Sequence, residues 1–260
     1  MSFGINQLTT IPSTLHKLPV AVFSAMALLT LAISAQADMV VNGSFESTTA
    51  GPGQFDYQTT ATGWTSAIGN SNAYNFIFAA GTADTSGSNG QYGNVQLWGP
   101  GNGSANGLPA ASPDGGNYVG ADGAFQVGAI SQTINGLNAG DSYLVGFWWA
   151  GSQQYTFTGD TTEQWQVSLG AETQSTAVAA NASHGFTGWM YQTFTFTADG
   201  SSDVLSFLAV GTPNGSVPPF VLLDGVSLDS ATPEPGTMGL LAAALIGALG
   251  LHRWRTRPGR

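Results

Sequence analysis

The chain has 260 residues, 42% of them hydrophobic and 8% charged, with 36 glycines, a composition that excludes both a charged disordered tail and a salt-bridged helical bundle. Net charge is -10, and the five basic residues, Lys17, Arg253, Arg255, Arg257 and Arg260, all lie in the end segments. No Lys or Arg therefore stands between Asp38 and Pro235 to meet a phosphate backbone, which excludes nucleic acid as a partner, while the acidic stretch favours divalent cations. Cysteine is absent, so disulfides, thiolate metal sites and Cys nucleophiles are excluded as well, and packing, with or without a metal ion, must hold the fold.

At the N-terminus Lys17 precedes an apolar run over 20–33, followed by Ala35-Gln36-Ala37. A basic region, an apolar region and a small-x-small site in that order are what an export peptidase needs. Residues 1–37 thus read as a signal peptide, a signal helix cut by signal peptidase after Ala37. The competing reading, a buried core helix, would need a polar face that this run lacks.

Residues 38–230 read as one domain of short β-strands separated by turn clusters such as Gly51-Pro52-Gly53, Ser86-Gly87-Ser88-Asn89-Gly90 and Pro113-Asp114-Gly115-Gly116-Asn117. Period-two alternation is clear in Trp165, Val167 and Leu169 against Gln164, Gln166 and Ser168, and again in Phe194 and Phe196 against Thr193, Thr195 and Thr197. The runs 143–149 and 204–210 are apolar on both faces, as central strands are when core lies on one side and loops or ligand on the other. The fold class is all-β: an antiparallel two-sheet sandwich. Five pieces in order, Val41-Asn42-Gly43-Ser44-Phe45-Glu46, Trp64, Gly116-Asn117-Tyr118-Val119-Gly120, Ile130-Ser131-Gln132-Thr133-Ile134 and Leu223-Asp224-Gly225-Val226-Ser227-Leu228, resemble the galactose-binding-like jelly rolls of many carbohydrate-binding modules. The resemblance implies a jelly-roll sandwich and polysaccharide as a partner.

At the C-terminus Pro233-Glu234-Pro235 precedes an apolar segment over 236–251 and the arginines Arg253, Arg255, Arg257 and Arg260. A helix of that length barely spans a hydrocarbon core, and flanking arginines keep the chain's end cytoplasmic, so the domain faces outward. Alone, residues 231–260 would also suit a plain transmembrane anchor. Pro-Glu-Pro, a short Gly- and Ala-rich span and an Arg-rich end together resemble the PEP-CTERM sorting signal. This resemblance implies that an exosortase recognises Pro233, Glu234 and Pro235 and cuts near them. It further implies transient residence in the inner membrane of a Gram-negative bacterium, release to the cell surface or extracellular matrix, and a setting of exopolysaccharide and biofilm.

Within the domain, Asp224 shares its parity with Phe220, Leu222, Val226 and Leu228 and is expected to face the core. A buried carboxylate without Lys or Arg leaves a metal ion, backbone donors or protonation to compensate it. Calcium is the natural ion. In the similar modules a Glu after the first strand and an Asp in the last share a structural calcium with backbone carbonyls, which would make Glu46 and Asp224 the ligands; the alternative is that Asp224 accepts turn amides. Trp148 is the candidate sugar platform, because Tyr143, Val145, Phe147 and Trp149 make the better core face and leave Trp148 and Leu144 on the other. The alternative is packing beneath a loop, and Trp98, Tyr92 and Trp189 share that ambiguity. No catalytic residue is assigned. His184 is the one histidine outside the ends and reads as a surface-loop residue, and no nucleophile elbow, His-Glu-x-x-His or P-loop occurs. Three functions remain: a non-catalytic surface protein that binds polysaccharide, a structural or adhesive protein without a sugar site, and a glycan hydrolase using carboxylates among Glu46, Asp122, Glu163 and Asp224.

Overall fold

Alternation in the sequence becomes two packed sheets. The computed structural model describes residues 38–69, 71–214 and 216–231; the expected signal peptide, transmembrane span and sorting residues lie outside them. In chain order the strands are β1 (Gly53–Gln54), β2 (Thr65–Ile68), β3 (Ser71–Asn72), β4 (Asn75–Phe78), β5 (Ser88–Gly90), β6 (Gly93–Val95), β7 (Tyr118–Asp122) and β8 (Ala129–Asn135). They continue with β9 (Ser142–Gln153), β10 (Thr161–Leu169), β11 (Glu172–Ser175), β12 (Ala179–Asn181), β13 (Met190–Thr197), β14 (Ser202–Thr212) and β15 (Pro219–Ser230). One sheet runs β1-β4-β7-β15-β9-β13; the other runs β11-β10-β14-β8-β2-β3, with β12 pairing β10. Every pairing between these strands is antiparallel. Among the described residues the helical content is a single 3-10 turn, Pro100–Asn102, and no helix is long and apolar enough to cross a membrane.

The inward faces close on a core in which Phe147, Val221 and Leu223 of one sheet meet Trp165, Val167 and Phe207 of the other. Trp165 satisfies its indole N–H across the gap on the Leu222 carbonyl at 2.9 Å, which lets a large polar-tipped ring be fully buried. β9 and β14 do occupy interior positions in their sheets, as their apolar runs predict. The outer face of β14 is nevertheless open, with Val204 and Val210 exposed.

A second apolar cluster lies on the outside of the β1-to-β13 sheet. Phe76, Phe78, Tyr118, Phe220 and Leu222 project outward there and are covered by the excursion between β4 and β7, through Val95, Leu97 and Leu108. The covering reaches the end of β9, where Ala150 is buried and the Trp98 amide donates to the Gln153 carbonyl, but stops short of the first half of that strand. Leu144 and Tyr191 remain exposed beside its edge, and this border sets the site.

The opening segment differs from expectation. Residues 39–46 form bends and a turn instead of a first strand. Asn42 and Phe45 adopt φ of 56° and 53°, left-handed values that interrupt any ladder. What holds the segment to β15 is two backbone bonds, Met39 N–H to the Leu228 carbonyl at 3.1 Å and Val226 N–H to the Gly43 carbonyl at 3.0 Å. Trp64 then packs on Phe45, with ring centroids 5.2 Å apart, and donates to the Asn42 carbonyl at 3.0 Å.

Candidate functional site

The outer surface of β15, β9 and β13 forms a grid of side chains. Asp224, Trp148 and Tyr191 stand in one row, because Trp148 pairs directly with Asp224 on one side and Tyr191 on the other. Ser227, Gly146 and Thr193 make the next row, and Asp229, Leu144 and Thr195 the one after. Gly146 is required there: a Cβ would lie 2.3 Å from the Tyr191 hydroxyl, so the absent side chain lets Tyr191 lie across the sheet. Trp148 is half-buried, its ring 5.0 Å from that of Tyr191 and inclined at 57°. Tyr191 itself is 54% exposed. The outcome is an aromatic shelf in which Trp148 faces outward, as its parity predicts.

Asp224 reaches this face by alternation with Phe220 and Leu222, and a bulge follows it. Pairing between β15 and β9 shifts register between Asp224 and Ser227, where Gly225 takes a φ of 56°. Val221, Leu223, Val226 and Leu228 therefore face the other sheet, whereas Asp224 joins Phe220 and Leu222 on the outer side. This corrects the parity assignment: Asp224 does not share a face with Val226 and Leu228, because one extra residue separates them. The carboxylate is still fully buried, beneath the turn at residues 112–117.

Its surroundings are acidic. Ser112 donates its hydroxyl to Asp224 Oδ2, and Ser112 Oγ accepts the Asp114 amide at 3.0 Å. Oδ1 has no well-aligned donor. Burial is the main influence and pushes the Asp224 carboxyl up to about 8; the Ser112 hydroxyl and the Gly225 amide work against it, and the carboxylates of Asp114 and Glu46 add to it. Glu46 is exposed, and its Oε1 accepts the Asn117 amide at 2.5 Å. A Cβ at Gly116 would collide with that oxygen, 1.7 Å away, so Gly116 is what lets Glu46 close over the turn. The fold thus brings Glu46 and Asp224 to one place from opposite ends of the domain. Among the described residues no three His, Asp or Glu side chains converge as a metal-binding group. An ion there would draw on two carboxylates and complete its shell from backbone oxygens and water. The unpaired Oδ1 fits such a role.

Other candidates disperse. Glu163 points inward from β10, fully buried, and burial raises its carboxyl to about 8 against the Thr161 and Asn181 side chains. Asp122 lies at the end of β7. Glu46 and Asp224 are the carboxylates of the hydrolase set that act on one another. Trp189 packs against Tyr118 at 5.6 Å in the second apolar cluster, and Trp98 stacks on His184 at 3.8 Å and donates to the Phe157 carbonyl at 2.8 Å. His184 sits in a turn with its Nε2 3.0 Å from the Thr158 hydroxyl. Sequence reasoning missed Tyr191, Ser112 and Asp114. Tyr191 was signalled by the β13 alternation, which puts it on the face opposite Phe194 and Phe196; nothing in the sequence ties Asp114 to a strand 110 residues later.

Comparison with known proteins identifies the tail. The PEP-CTERM protein-sorting motif matches residues 231–253. Those residues are a PEP-CTERM sorting signal. The signal marks the chain for export and carries a C-terminal anchoring and sorting function. No curated protein matches the chain. Among solved structures, the chain is similar to TmCBM61 in complex with β-1,4-galactotriose, with 18% identity, 75% of this chain and 99% of that chain covered, and a TM-score of 0.36. It is also similar to the CBM22-1 xylan-binding domain of Paenibacillus barcinonensis Xyn10C, with 13% identity, 74% and 93% covered, and a TM-score of 0.33. The K1 cleaved adhesin domain of Lys-gingipain from Porphyromonas gingivalis is 11% identical, with 73% and 96% covered and a TM-score of 0.38. None of these likenesses transfers a residue or a ligand to this chain.

Proposed function

We propose that this chain is an exported, exosortase-processed, non-catalytic protein of the Gram-negative cell surface or extracellular matrix, whose jelly-roll sandwich binds polysaccharide on the Trp148–Tyr191 shelf. The observation that carries the binding half is the row Asp224–Trp148–Tyr191 beside Gly146: a half-buried and an exposed aromatic ring side by side at the edge of the covering excursion, with carboxylates and hydroxyls around them. Flat aromatic faces take up the apolar face of a sugar ring, and carboxylates such as Asp229 accept its hydroxyls. From Leu144 to Trp148 the open strip runs roughly 13 Å along the strand, which suits an extended glycan chain. Glycan-array binding by the full chain, with Trp148→Ala as control, tests the reading.

The sorting half rests on the motif at 231–253. In this reading signal peptidase removes 1–37, the span at 236–251 resides transiently in the inner membrane with Arg253, Arg255 and Arg257 on the cytoplasmic side, and exosortase cuts near Pro233-Glu234-Pro235. Exopolysaccharide of a biofilm is the corresponding ligand class. Calcium at Glu46 and Asp224 would stiffen the loop-to-β15 contact. What supports it is a buried carboxylate flanked by two others in a domain without Lys or Arg.

A further inference from the structure

A cavity opens where β7 and β9 end and β4 and β15 begin. It holds about 240 Å3, below the roughly 300–1,000 Å3 of sites for drug-sized ligands, so its occupant is a small head group. Four of its lining residues, Tyr74, Tyr92, Phe125 and Phe157, are aromatic, and the first three touch one another. Tyr74 meets Phe125 at 5.2 Å and 83°, Tyr92 meets Phe125 at 5.8 Å and 59°, and Tyr74 meets Tyr92 at 6.1 Å and 40°. Rings in contact at such angles make an angled aromatic lining, a box open on one side, unlike a shelf on which a pyranose lies flat. Tyr92 and Phe125 are 63% and 42% exposed, so the box is reachable from solvent. The Tyr92 hydroxyl is held by the Gln126 amide at 2.9 Å, which fixes that wall.

Asp122 lines the same cavity and is 1% exposed. Its Oδ1 accepts the Ala124 and Phe125 amides at 2.8 and 3.0 Å, which pins the carboxylate to the turn that carries the Phe125 wall. Its Oδ2 is buried without any hydrogen-bond partner. No Lys or Arg exists between residues 38 and 235 to neutralise it. An orphaned carboxylate in an aromatic-lined cavity has the makings of a cation site: the rings attract a cation and the carboxylate supplies the counter-charge.

We propose that the Tyr74–Tyr92–Phe125 box over Asp122 binds a methylated ammonium group, as carried by choline-like head groups. This site is separate from the Trp148 shelf and does not depend on its function. A quaternary ammonium has no N–H donors to satisfy, which matches a cavity whose polar side chains apart from Asp122 are Gln154 and the two tyrosines. Burial holds the Asp122 carboxyl at about 6 even against the two amides, and the titratable groups that line the cavity with it are Tyr74 and Tyr92. A bound cation favours the ionised carboxylate, so affinity falls as pH drops through about 6.

Calorimetric titration of the full chain with choline, and with its neutral isostere 3,3-dimethylbutan-1-ol, tests the site. Saturable choline binding is expected, at least about tenfold tighter than the isostere. Asp122→Asn and Tyr92→Ala should each weaken it about tenfold, and the exposed position of Tyr92 keeps its variant folded. Trp148→Ala should leave it unchanged. Absence of saturable choline binding, equal binding of the isostere or of glucose, or indifference to Tyr92→Ala would overturn the proposal.

Discussion

Asp224 and Trp148 are direct partners across β15 and β9 and share a face, and the residue after Asp224 begins the bulge that turns Val226 and Leu228 to the other. A Cβ on Gly225 would sit 3.1 Å from both Asp114 and the Trp148 ring. The acidic cluster and the aromatic shelf therefore share one wall, and a change in either is felt by the other.

The Asp224 cluster predicts a calcium response. With its carboxyl pushed up to about 8, Asp224 is largely neutral at pH 7, and a bound cation would draw off that proton. Melting of the full chain at pH 7 should shift upward on adding calcium and return with chelator, and Asp224→Asn should erase the shift. An unchanged melting temperature in the native chain would argue against the ion.

Glu163 predicts a pH dependence of stability. Its carboxyl ionises near 4.5 in the unfolded chain and at about 8 in the fold, so across that interval the folded state holds the extra proton. Stability consequently falls as pH rises through the interval. Glu163→Gln keeps the shape and removes the titration, and should flatten the loss by on the order of a few kcal/mol. Denaturant unfolding at pH 5 and pH 8 measures the difference; equal slopes in both proteins would refute the assignment.

Gly43 predicts a packing limit. A Cβ there would lie 1.9 Å from the Val226 carbonyl oxygen, and backbone cannot step aside. Gly43→Ala should destabilise the domain by about 2–4 kcal/mol, as overpacking against backbone does. Thermal unfolding checks this, and a near-neutral effect would mean that the opening turn is not clamped on β15.

The sorting signal predicts processing. C-terminal sequencing of the extracellular form should find Arg260 gone, and Glu234→Ala should leave the chain in the membrane fraction. An intact C-terminus on the extracellular form contradicts exosortase cleavage.

The strands were legible in the sequence where alternation was uninterrupted, as in β10 and β13, and where an apolar run was long enough to be interior, as in β9. The bulge was not. Gly225 looks like an ordinary strand glycine, and only the pairing with β9 reveals that it resets parity between Asp224 and Val226. The opening segment failed for a related reason: Val41 to Phe45 has strand-like composition, but Asn42 and Phe45 adopt left-handed backbone that tertiary contacts with Trp64 and β15 enforce. The outward orientation of Trp148 was readable from parity alone. Asp114 and the Tyr74–Tyr92–Phe125 box were not, because they are assembled from loops whose meeting depends on the covering excursion between β4 and β7.

The functional proposal stands or falls with polysaccharide binding on the Trp148–Tyr191 shelf. Affinity electrophoresis of the full chain through gels containing surface polysaccharide measures it directly. The native chain should be retarded, while Trp148→Ala and Tyr191→Ala should each lose at least about tenfold in affinity, and Tyr191→Ala, altered at an exposed position, should melt as the native chain does. Retardation of both variants equal to that of the native chain would contradict the account.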